Sequence, residues 1–158
     1  MGNINVVVPS NYEWPIDRSK KIFLAGTIDN GNSIDWQREV INLFSTENRN
    51  ITFFNPRRAD WPSDDAHNEI TKQINWELDH LERADLIVMN ILGSSKSPIS
   101  LMEIGLFTKS GKLLVFCPEN YYRFDNVRVV CERYNIPLFD TNDLFVIKHQ
   151  VEIALEKQ

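Results

Sequence analysis

Between Asp85 and Phe107 the chain reads DLIVMNILGSSKSPISLMEIGLF, an order that leaves few ways to fold. Leu86 to Met89 is an apolar run too short for a helix and the right length for a buried strand. A small polar loop, Gly93 to Ser97, follows, and then Pro98. Beyond it Ile99, Leu101, Met102, Ile104, Leu106 and Phe107 form an apolar helix pattern that carries one carboxylate, Glu103. In an open α/β sheet, ligands sit where a strand ends and the next helix begins. A lone Glu in apolar company has little reason to be there for folding alone, so Glu103 is the first candidate for chemistry.

The same unit recurs along the chain. Lys21 to Gly26 reads as the first central strand, followed by a Gly/Asn/Asp loop from Thr27 to Ser33 and a helix from Ile34 to Phe44, capped by Ser33 or Asp35. Ile51 to Phe54 is the second strand, ended by Asn55-Pro56, with a long loop over 56–66. A helix from about Asp65 to Arg83 places Ile70, Ile74, Leu78 and Leu81 on one face. Leu86 to Asn90 is the third strand, Pro98 to Ser110 its helix, and Leu113 to Phe116 the fourth strand. A helix over Val127 to Tyr134, a short strand over Pro137 to Phe139 and a closing helix from Asp143 to Glu156 complete the pattern. Alternating strands and helices imply right-handed βαβ units and a parallel sheet of about five strands, helices on both faces. Residues 1–20, with a β-prone run Ile4 to Val8 and a turn-rich stretch through Pro9, Asn11 and Pro15, read as an N-terminal arm or edge strand. Residues 21–158 read as one domain.

A net charge of -5 argues against a broad surface for a nucleic-acid polymer, though not against one nucleotide. No apolar run approaches the roughly 20 residues of a membrane span, and a cytoplasmic, soluble protein is expected. Cys117 and Cys131 lack metal-ligand spacing and read as free buried thiols. His67, His80 and His149 are scattered, so no metal site is expected. The serines at 94, 95, 97 and 100 form no GxSxG elbow, which disfavours serine-hydrolase chemistry.

Four places remain. Gly26-Thr27-Ile28, after a strand and before a helix, offers backbone N–H groups to a phosphate or sugar hydroxyl, or is simply a tight turn. Glu77 and Glu103 would form the carboxylate pair of glycosyl transfer if the fold brings them together. Arg57 and Trp61 could pair an anion and stack a base; alternatively Arg57 or Arg58 orders the loop against Asp60, Asp64 or Asp65. Tyr121, Tyr122 and Phe124 read as core or interface.

The succession IFLAGTID, Asp35-Trp36, NPRRADW, INWELDHLERADLIV, SPISLMEIGLF and DNVR resembles the nucleoside 2-deoxyribosyltransferase family, in its deoxyribosyltransferase-like branch, over roughly residues 21–130. The resemblance implies a flavodoxin-like (Rossmann-like) three-layer α/β sandwich. It also implies transfer of a 2-deoxyribosyl group between nucleobases through a covalent glycosyl-enzyme, with no cofactor. Met102-Glu103-Ile104-Gly105 matches the motif whose Glu is the nucleophile. The second acid, usually Asp in D-L-x-x-(I/L)-x-x-A-D, corresponds to Glu77 in E-L-D-H-L-E-R-A-D, which leaves Asp85 a structural role at the entry to the third strand. Ser97 stands where the transferases place an Asp that holds a sugar hydroxyl; in this it is similar to the deoxynucleoside 5'-monophosphate N-glycosidases, whose phosphate loop Gly26-Thr27-Ile28 approximates. Asp29 stands where those hydrolases place an Arg. The family completes each site with an Asn or Ser from a neighbouring subunit, for which Asn126 is the counterpart, so a homo-oligomer with shared sites is implied. The expected substrates are a small nucleoside or nucleotide and a free nucleobase. Transfer, hydrolysis of the monophosphate, and nucleotide binding without turnover are the three readings this leaves.

Overall fold

The computed structural model describes residues 2–9, 11, 14, 17–63 and 65–158. Pro15 and Asp64, both named above, lie outside the described residues. Six parallel strands form one sheet: β1 (Ile4–Val7), β2 (Lys20–Gly26), β3 (Ile51–Phe54), β4 (Leu86–Asn90), β5 (Leu113–Phe116) and β6 (Leu138–Phe139). Their order across the sheet is β1-β3-β2-β4-β5-β6. The helices are α1 (Trp36–Leu43), α2 (His67–Arg83), α3 (Pro98–Phe107), α4 (Phe124–Arg133) and α5 (Leu144–Glu156). The N-terminal run is an edge strand beside β3, with Val7 opposite Phe54. It adds a sixth strand to the five expected.

Alternation along each strand sends side chains to two separate cores. Phe23, Ala25, Ile87, Met89 and Val115 pack with Trp76, Leu81, Ile104, Val127 and Cys131 of α2, α3 and α4. Ile22, Leu24, Val88 and Phe116 pack with Trp36, Val40, Phe44, Ile147 and Val151 of α1 and α5. Both faces of the sheet are therefore covered, which makes a three-layer α/β sandwich. Cys117 and Cys131 are buried free thiols. Among the described residues no helix is long and apolar enough to cross a membrane.

Caps set the element ends. Asp35 caps α1 by accepting from the Arg38 N–H at 3.2 Å, so Ile34 falls outside the helix and is 69% exposed. Asp143 caps α5, accepting from Phe145 N and Val146 N. Asp85 is structural: its Oδ2 accepts from Lys21 N at 2.8 Å, tying the start of β4 to β2.

From β2 the chain moves one way across the sheet to β3, and later crosses back to β4 and on to β5 and β6. The strand order thus reverses between β2 and β4. The carboxyl ends of those two strands open a crevice, the place where such sheets bind ligands.

Candidate active site

Gly26 ends β2 directly beside Asn90, the last residue of β4. The two backbones approach so closely that a Cβ on Gly26 would lie 2.0 Å from Asn90 O, and its φ of +126° also demands glycine. Thr27 N then donates to Asn90 O at 3.0 Å, and Trp36 Nε1 of α1 donates to Thr27 O at 2.9 Å. These bonds fix the loop over the switch point. Asp29 and Asn30 next adopt left-handed backbone at φ 52° and 53°, and Ser97, at the start of α3, does the same at 45°. Such conformations cost non-glycine residues free energy and concentrate at functional sites.

A cavity of about 640 Å³ lies over this crevice. Thr27, Asp29, Trp61, Ser97, Glu77 and Glu103 all line it. The two carboxylates distant in sequence are thereby brought together. Glu103 is buried on α3, and Glu77 faces the cavity from α2. Burial pushes the Glu103 carboxyl up to about 8, and the Glu77 charge adds to the rise. Burial likewise pushes Glu77 up to about 7, opposed by a hydrogen bond from Gln73 Nε2 to its Oε1 at 3.2 Å. Between about pH 7 and pH 8 the pair therefore passes through a form that shares one proton.

Helix α3 departs from the usual division of faces, burying polar residues beside Ile104. Ser100 and Glu103 are buried, whereas Ile99, Met102 and Leu106 are each more than half exposed. The apolar stripe of α2 is divided between cavity and core. Ile70, Ile74 and Leu78 form cavity wall, and the helix buries Gln73, Trp76, His80 and Leu81. Aromatic stacking explains that choice: His80 stacks on Trp76 at 4.1 Å and meets Phe54 edge-on at 4.8 Å.

Two hydroxyls on the cavity floor, Thr27 and Ser97, join a third beneath it, Ser95. Thr27 Oγ1 lies 2.6 Å from Ser97 Oγ, which lies 2.8 Å from Ser95 Oγ, which donates to Asp29 Oδ1 at 2.9 Å. Leu92 N donates to Thr27 Oγ1 at 2.9 Å. Trp61 closes one side, and Gly31 at φ +84° leaves room for it: a Cβ there would lie 2.5 Å from the indole nitrogen.

Two expected site residues stand elsewhere. Arg57 does not line this cavity; its guanidinium donates to Gly31 O, Ser33 O and Ile34 O and lies 3.7 Å from Asp35, clamping the Gly31–Asp35 loop. Arg58 lies 4.0 Å from Asp60. Asn126, on α4, faces a separate hollow of about 290 Å³ against Leu101, Ile104 and Gly105 of α3. Gln73 and Ser95 were missed by sequence reasoning. Gln73 precedes Glu77 by one helical turn, a spacing that places side chains in contact; nothing in the sequence distinguishes Ser95 among its neighbouring serines. Among the described residues no cluster of His, Cys, Asp and Glu could hold a metal ion.

A family model described as nucleoside 2-deoxyribosyltransferase like matches residues 19–121. The chain belongs to this nucleoside 2-deoxyribosyltransferase-like family. The match takes in β2 through β5 with α1, α2 and α3, and so every residue that lines the cavity. It ends before α4, leaving Asn126 outside. No curated protein matches the chain. The sandwich is consistent with the flavodoxin-like fold of the family, and membership implies small-molecule nucleoside substrates and glycosyl-transfer or glycosidase chemistry.

Proposed function

We propose that the protein cleaves or exchanges the N-glycosidic bond of a neutral 2'-deoxynucleoside through a covalent intermediate on Glu103. One observation carries this reading: the cavity presents the carboxyls of half-buried Glu77 and buried Glu103 together with Asp29, and the described residues lining it include no Lys or Arg. A phosphate monoester there would meet acids without a cation to offset them. Arg57, the expected compensating charge, is consumed by three backbone carbonyls and Asp35. The monophosphate reading therefore has the weaker support.

In this mechanism the base packs against Trp61 and the apolar wall of Ile70, Ile74 and Leu78, and the sugar lies over the hydroxyl floor. Glu103 attacks the anomeric carbon as the C–N bond breaks, and Glu77 gives its proton to the departing base. Burial raises both carboxyls, and the reactive arrangement is the singly protonated pair with its proton on Glu77. Positive charge developing on the sugar in the transition state favours that ionised Glu103. A second base, or water, then takes the sugar from Glu103 with net retention, which is the point where transfer and hydrolysis part.

A homo-oligomer belongs to the same proposal. Ile74, Ile99, Met102 and Leu106 are exposed beside the cavity mouth, an apolar rim suited to a second copy. Asn126 faces away from its own chain's cavity and would serve a neighbour's. The deciding assay incubates the protein with each 2'-deoxynucleoside and its 5'-monophosphate, with and without a second base. Released or exchanged base is followed by chromatography, and intact protein mass reports a glycosyl adduct. Base release or exchange from nucleosides that disappears in Glu103→Ala supports the reading; activity confined to monophosphates refutes it.

A further inference from the structure

The hydroxyl chain at and beneath the cavity floor has a fixed direction. An ionised carboxylate only accepts hydrogen bonds, and each hydroxyl has one proton to give. Ser95 donates its proton to Asp29 Oδ1 at 2.9 Å, so at its 2.8 Å contact with Ser97 it must accept. Ser97 has therefore spent its proton on Ser95, and at 2.6 Å it accepts from Thr27. Thr27 in turn accepts from the Leu92 N–H, which closes the other end. Thr27, Ser95 and Ser97 are all buried, at 1%, 8% and 6% exposure, so water does not compete for these bonds. Ser97 lines the cavity with one lone pair left and no proton to offer.

We propose that Ser95 and Asp29 act as positioning and specificity residues. By committing the Ser97 proton they turn Ser97 into a pure acceptor, so the floor selects a free sugar hydroxyl, which can donate, over a phosphate ester, which cannot. The proposal rests on the nucleoside reading above and deepens it. Ser95 itself does not line the cavity, so it acts through Ser97. A full phosphate contact would need the chain to break at Ser95 and leave the Asp29 carboxylate with one donor fewer.

The test measures dissociation constants by calorimetry for a 2'-deoxynucleoside and its 5'-monophosphate in the Glu103→Gln background, which stops turnover. The reference protein is expected to favour the nucleoside at least tenfold. Ser95→Ala frees the Ser97 proton while leaving the Asp29 charge in place, so repulsion by charge persists. The preference is nevertheless expected to narrow about tenfold, the scale of one hydrogen bond to a charged group. Ser95→Thr, which keeps the hydroxyl, is expected to restore it, an outcome that general loosening of the loop would not give. Should Ser95→Ala fail to fold, Ser95→Cys supplies the second arm, because a thiol is a weak acceptor that releases the Ser97 proton while the Asp29 charge stays in place, and it must also narrow the preference. If both ligands bind and neither variant moves their ratio, the hydroxyl-chain proposal is overturned and the nucleoside reading stands. If the reference protein favours the monophosphate or binds neither ligand, the nucleoside reading falls and the proposal with it.

Discussion

Replacing Glu103 with Gln is expected to abolish turnover and at the same time to stabilise the protein, by an amount that grows with pH. The folded state holds the Glu103 proton up to about pH 8, against an ordinary value of 4.5 that applies once the chain unfolds. A group whose folded value is raised contributes its full stability below the unfolded value, and the contribution is lost as pH rises toward the folded one. At about 1.4 kcal/mol per pH unit, the wild type gives up roughly 3–4 kcal/mol between pH 5 and pH 8 through this group. The glutamine variant has no such proton to lose. Its advantage should widen by that amount over the interval, a relative gain of roughly 10 °C in melting temperature for a chain of this size. Urea denaturation of both proteins at pH 5, 6, 7 and 8 reads the effect directly. A difference that stays constant across that range would show that Glu103 is ionised in the folded protein and would refute the burial argument.

Other expectations follow from the same geometry. The rate should trace a narrow bell in pH with its maximum near 7.5, midway between the values of about 7 and about 8; a rate still climbing at pH 9 would contradict a shared proton. Gln73→Ala removes the donor that holds Glu77 down, so the Glu77 carboxyl should titrate higher by carbon NMR. Gly26→Ala forces a Cβ into Asn90 O and should cost more than about 3 kcal/mol, seen as lost soluble yield and lost cooperative melting. Leu106→Glu should turn the proposed oligomer into monomers by sedimentation velocity, with unchanged far-UV circular dichroism and reduced activity.

The strand and helix sequence was legible because each strand here is a short, nearly continuous apolar run, the signature of burial on both faces. Glu103 was legible because it breaks an apolar helix. The stripe Ile70, Ile74, Leu78 and Leu81 was legible as a face but not in its use, since its period does not say which part packs in the core and which lines a cavity. Trp76 and His80 took the core because their rings stack. Arg57 could be placed in a reactive loop from the sequence, but the carbonyls that consume it come from the Gly31–Asp35 loop, a tertiary pairing no local pattern encodes. The hydroxyl chain was illegible for the same reason: Thr27 and Ser97 are 70 positions apart and meet at 2.6 Å.

The left-handed backbone at Asp29, Asn30 and Ser97 has an evolutionary corollary. Glycine at Asn30 would relieve about 1 kcal/mol of strain and so would look like an improvement to any selection that scores folding alone, whereas at Asp29 or Ser97 the same relief is offset by buried hydroxyls left without a partner. Laboratory evolution for solubility or heat resistance, run without an activity screen, should therefore accept a change at Asn30 before one at Asp29 or Ser97. Such a survivor would keep its sheet, and the order in which the three residues changed would map where this fold stores its cost.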